Sequence, residues 1–125
     1  MNDETRFAFA EVLGDDGEQT ALLVDHKGAV RAGIYCDARG FDVSREIGAA
    51  LAGVGSEATR AMRHLNLGEW RAIVCECSEA NLALAPADDG DVVLVAAAPT
   101  VPHGFVRRLL DMVSQRALAW RREVA

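Results

Sequence analysis

The 125-residue sequence lacks several things, and each lack excludes something. It has no apolar run long enough to span a bilayer. Its opening MNDETR has none of the basic-then-apolar character of a secretory leader, so the expected location is cytoplasmic, with no direct membrane insertion. The three cysteines, Cys36, Cys75 and Cys77, are odd in number and follow no framework spacing, which points to reduced thiols. Basic charge is in deficit too: the net charge of -6 argues against general affinity for nucleic acid or an anionic membrane. No linker, repeat or low-complexity stretch divides the chain, and residues 1–125 read as one domain.

Metal and catalytic motifs are missing as well. Cys75-x-Cys77 has neither a second cysteine pair nor a spaced histidine pair to complete a zinc site. Asp15-Asp16 and Asp88-Asp89-Gly90-Asp91 lack the ligand spacing and the last glutamate of a calcium loop, and read as turns. His26, His64 and His103 stand apart from any nucleophile or metal pattern. The expectation is a chain that is not an enzyme, with no catalytic residue, no metal and no cofactor.

What is present is clear periodicity. Residues 4–13 predict a short helix with Phe7, Ala10 and Val12 or Leu13 turned inward, closed by an acidic Gly14–Gln19 loop. Residues 21–25 and 29–36, joined by His26-Lys27-Gly28, predict a hairpin. Over 43–65 the period changes: Ile47, Leu51, Val54, Ala58, Ala61 and Leu65 recur at helical spacing, with Asp42 or Ser44 as cap and Asn66 to Gly68 as stop. Strands follow at 69–77, in LALAPA and in DVVLVAAA, forming a meander. The runs ALLV and VVLVAAA are apolar throughout and suit central strands covered on both faces. Val106, Leu109/Leu110, Val113, Ala117 and Trp120 mark a last helix opened by Thr100-Val101-Pro102. The class is α+β in the order α-β-β-α-β-β-β-α: a five-stranded antiparallel sheet sandwiched between helices.

One stretch invites a different reading. Gly53-Val54-Gly55-Ser56-Glu57-Ala58 fits G-x-G-x-x-[GA], the spelling of a dinucleotide-binding turn. That motif needs a strand just before it and a helix opening at the glycines. Here helical spacing runs through both glycines, so the sequence predicts one unbroken helix and no phosphate cradle. At about 100° per residue, Ala49, Ala52, Gly53, Ser56 and Arg60 fall opposite Ile47, Leu51 and Val54. This outward strip has almost no bulk and is edged by Arg45, Arg60 and Arg63, as a surface for another polypeptide would be.

The whole chain resembles the Roadblock/LC7 family, small profilin-like domains found as light chains and as regulators of Ras-like GTPases. The residues that carry the likeness are ALLVDHKGAV (21–30), the Ala-rich helix ending in HLNLGEW (64–70), RAIVCEC (71–77), NLALAPADDGDVVLVAAAP (81–99) and PHGFVRRLL (102–110). The resemblance implies a homodimer that pairs the strand at 69–77 across a two-fold axis into one ten-stranded sheet. Trp70, Arg71, Ile73, Cys75 and Cys77 would then lie at the dimer interface. It further implies that the paired central helices face a small Ras-like GTPase, making Arg45, Ala49, Ala52, Gly53, Ser56, Arg60 and Arg63 the partner-binding residues. The alternative is a light-chain-type scaffold subunit with no GTPase. Basic residues that are all arginine except Lys27 fit a GC-rich bacterial gene.

Overall fold

A computed structural model describes residues 2–14 and 19–124, so the expected turn at Asp15-Asp16 lies outside the described residues. Two short helical turns, α1 (Asp3–Arg6) and α2 (Ala10–Leu13), lead into the hairpin of β1 (Thr20–Val24) and β2 (Val30–Ile34). Two central helices follow, α3 (Ser44–Ala50) and α4 (Val54–His64). The meander β3 (Ile73–Glu76), β4 (Asn81–Pro86) and β5 (Val92–Ala97) comes next, and α5 (His103–Val124) closes the chain. The sheet order is β2-β1-β5-β4-β3 and every pairing is antiparallel.

The apolar runs land where their composition requires. β5 is buried along its whole length, and β1 from Ala21 to Val24, because each lies between two neighbours and under helices on both faces. Side chains alternate between two cores. Ala21, Leu23, Ala83, Val93 and Val95 face α5, whose stripe of Val106, Leu109, Leu110, Val113, Ala117 and Trp120 is buried as expected. Leu22, Val24, Leu84, Val92 and Leu94 face α3 and α4. Pro102 immediately precedes α5, and its carbonyl accepts from the amides of Phe105 and Val106.

Two expectations fail. The N-terminal segment is not one helix, and the break at residues 7–9 shifts its phase. Phe7 is left 52 % exposed and Ala10 is exposed too, while Ala8 and Phe9 fill the α5-side core beside the half-buried Val12 and Leu13. The central helix is also broken. Gly53 sits at φ +79, a left-handed conformation that ends α3 and starts α4. The glycine motif therefore does open a helix, contrary to the sequence reading. What precedes it is still a helix and not a strand, and the Val54 amide is bonded to the Leu51 carbonyl.

Each half has its own seat. A Cβ on Gly48 of α3 would come within 2.6 Å of the Gly28 carbonyl oxygen in the β1–β2 turn, and one on Gly55 of α4 within 2.9 Å of Val92. Both glycines thus let helix backbone lie against the sheet. Asp42 anchors the start of α3 by accepting from the amide and hydroxyl of Ser44, which holds its carboxyl below the usual carboxylate range. At the other end Asn66, at φ 56, completes a Schellman stop: its amide bonds to Arg63 and that of Leu67 to Met62.

Candidate functional site

The outward strip is where its helical phase puts it. Arg45, Ala49, Ala52, Ser56, Arg60 and Arg63 are all exposed on α3–α4, and Gly53 is half-buried at the joint. Arg60 pairs with Glu57 at 2.7 Å, one helical turn back. Among the described residues Arg45 and Arg63 have no ion-pair partner, so their guanidinium groups remain available.

The layer beneath the strip is incompletely buried. Ile47, Leu51, Val54, Ala58 and Met62 pack against the sheet, yet each is only half-buried. Leu65 and Leu67, just past α4, are 63 % and 67 % exposed. Apolar surface left open in this amount beside a bare strand edge is the kind that protein contacts cover.

That edge is β3, the last strand of the sheet, paired on one side with β4. Its Ile73 and Cys75 lie opposite Leu84 and Leu82, on the α3–α4 side, and its Val74 lies opposite Ala83, on the α5 side. The strand is shorter than the sequence reading made it. Arg71 precedes it, exposed, and Cys77 follows it, also exposed, with its amide bonded to Ala80 in the turn. Trp70 departs furthest from the expected seam. It lies outside the ladder, 8 % exposed in the α3–α4-side core, and its Nε1 donates to Thr59 Oγ1 at 3.2 Å. Its bulk serves this chain's own interior.

The sequence reading missed a cleft of about 760 Å³ between α4 and the β4–β5 turn. Thr59, His64 and Trp70 line it together with Arg60 and Arg63, and Gly90 and Asp91 close the far end. Asp91 is 3 % exposed. Burial pushes its carboxyl up, opposed by Arg121 of α5 at 3.1 Å and Arg31 of β2 at 3.9 Å. Arg121 also donates to the Asp88 carbonyl, tying the end of α5 to the turn. No local pattern announces this cleft, because its walls come from segments far apart in the chain. Among the described residues no three metal-ligating side chains converge, and no helix is long and apolar enough to cross a membrane.

No model of a protein family and no curated protein matches the sequence. Solved structures do match. A Roadblock/LC7 domain from Streptomyces avermitilis superposes with a TM-score of 0.73 at 16% identity, over 94% of this chain and 97% of that one. MglB of Myxococcus xanthus gives a TM-score of 0.76 at 13% identity, over 97% of both. Profilin II of Acanthamoeba castellanii gives 0.53 at 17% identity, over 81% of this chain and 85% of that one. The chain therefore has the Roadblock/LC7 fold, an α+β sandwich related in architecture to profilin.

Proposed function

We propose that the chain is a non-enzymatic homodimeric regulator or adaptor, binding a small Ras-like GTPase through α3–α4 and modulating GTP hydrolysis. The observation that carries the reading is the unfinished α3–α4 layer: a half-buried apolar stripe under an exposed, arginine-edged strip of small residues. Small side chains let another backbone approach, and free guanidinium groups at the rim favour acidic loops on the partner. The resemblance to Roadblock/LC7 regulators supplies the partner class, and the shared fold supports it. The bare edge of β3 supplies the dimer contact, since a second copy pairing antiparallel there would satisfy its free amides and carbonyls.

Two measurements test this. Val74→Lys places a charge on the edge strand and should turn a dimer into a monomer by sedimentation, with the circular dichroism spectrum unchanged. For the partner, Ras-like GTPases loaded with GDP or a GTP analogue are passed over the immobilised protein. Retention should depend on the nucleotide and be lost in Ser56→Arg, which adds bulk to the strip without straining the Gly53 joint. Unchanged affinity in a still-dimeric Ser56→Arg protein would falsify the proposed face. Recovery of a larger assembly containing no GTPase would favour the scaffold role.

A further inference from the structure

The cleft beside α4 shares Ser56, Arg60 and Arg63 with the outward strip and adds apolar walls that the strip lacks. Trp70 forms part of its lining, and because its Nε1–H is already given to Thr59 Oγ1 at 3.2 Å, the indole adds apolar surface and no free donor. Pro86, Ala87 and Gly90 form a facing wall without side-chain charge. The α4 wall carries Arg63, which has no ion-pair partner among the described residues, and Arg60, which is held by Glu57 at 2.7 Å. Among the described residues Asp91 is the one acid lining the cleft, and its charge is met from within by Arg121 at 3.1 Å and Arg31 at 3.9 Å. A cationic wall next to apolar surface is thus presented by a chain whose net charge is -6.

The size narrows the occupant. About 760 Å³ falls within the range of sites that hold drug-sized ligands, whereas a single water occupies about 30 Å³. A lone small anion would leave the apolar wall uncovered. A short stretch of polypeptide with a carboxylate beside an apolar side chain would use both walls, the carboxylate meeting arginine in the fork geometry that guanidinium favours.

We propose that this cleft holds an acidic peptide segment of the protein partner, with its carboxylate on Arg63 and a neighbouring apolar side chain against Trp70. The inference rests on reading α3–α4 as the partner face, and it names the part of the partner that is gripped.

The probe is a blocked hexapeptide, acetyl-Ala-Glu-Glu-Leu-Ala-Ala-amide, titrated into the full chain while the Trp70 indole N–H resonance is followed. A saturable shift is expected, with none from the Lys-Lys counterpart and no displacement by sodium phosphate. Arg63→Glu should weaken binding at least about tenfold, the scale of one charge-assisted contact. Ser56→Tyr, which fills the cleft from an exposed position, should do the same and covers the case in which Arg63→Glu disturbs the fold. A resonance unmoved by the acidic peptide, moved equally by the basic one, or restored by phosphate overturns the proposal. GTPase capture separates the two readings. Full retention by His64→Glu, which puts a negative charge in the cleft at an exposed position outside the strip, leaves the partner face standing and removes the cleft, whereas peptide binding in a chain that captures no GTPase does the reverse.

Discussion

On one face of the sheet α5 buries Val106, Leu110 and Val113 completely; on the other, Ile47, Leu51, Val54 and Met62 are only partly buried. The fully buried positions of α3 and α4 are Ser44, Gly48 and Gly55, which contribute contact but little apolar area. A large aliphatic side chain contributes about 1.5–3 kcal/mol when fully buried. The α5 layer thus collects nearly all of that gain inside the chain, and the α3–α4 layer leaves part of it uncollected. The two layers share a sheet and similar stripes, so the difference lies in how far each stripe is closed within the chain itself.

Substitutions can break or sharpen this contrast. Leu110→Ala should cost about 3 kcal/mol, read as a lower urea midpoint that does not change with protein concentration. Gly48→Ala should cost about 2 kcal/mol, because the added methyl meets the Gly28 carbonyl at 2.6 Å. Gly104→Ala, which meets nothing within 4 Å on α5, should instead gain up to about 1 kcal/mol. Ile47→Ala should cost only about 1 kcal/mol in dilute protein, because part of the side chain is open to solvent before the change. Equal losses for Leu110→Ala and Ile47→Ala at high dilution would erase the contrast.

The smallest effect concerns pH at the start of α3. The Asp42 carboxyl is held below its ordinary value of 3.8, first by the hydroxyl of Ser44 and then by its amide. A carboxylate depressed in the folded state adds stability above its unfolded pKa and loses it as pH falls through the folded value. Asp42→Asn keeps an acceptor oxygen for Ser44 and removes the titration. Its acid unfolding should therefore show a shallower loss below about pH 4, and, with the side chain 43 % exposed, the difference should stay near 0.5 kcal/mol. A steeper acid limb in the variant would contradict this role for Asp42.

Legibility in the sequence followed the same division. The α5 stripe was readable because a single long helix keeps one phase from Val106 to Trp120, and β1 and β5 because strands covered on both faces carry unbroken apolar runs. The joint at Gly53 was not readable: the intervals between Ile47, Leu51, Val54 and Ala58 run through it as though the helix continued. Gly48 and Gly55 facing the sheet were the available signal, since glycines on the buried side of a helix mark close approach. Phe7 and Phe9 exchanged places because two short turns keep no common period. Trp70 looked like part of a strand by composition, while its role as core and cleft lining depends on contacts made far along the chain.

The left-handed joint has a consequence for how the helix pair can vary. α3 is registered on the β1–β2 turn through Gly48, and α4 on β5 through Gly55, so the two halves keep their orientation separately. One residue inserted between Ala50 and Val54 would leave each half free to fold against its own seat. It would also change the spacing and angle between them. If the seats held, the linker would buckle outward across the strip; if they yielded, the arginines of α4 would swing out of line with Arg45. Spacing across the joint therefore sets how the exposed side chains of α3 and α4 line up as firmly as residue identity does.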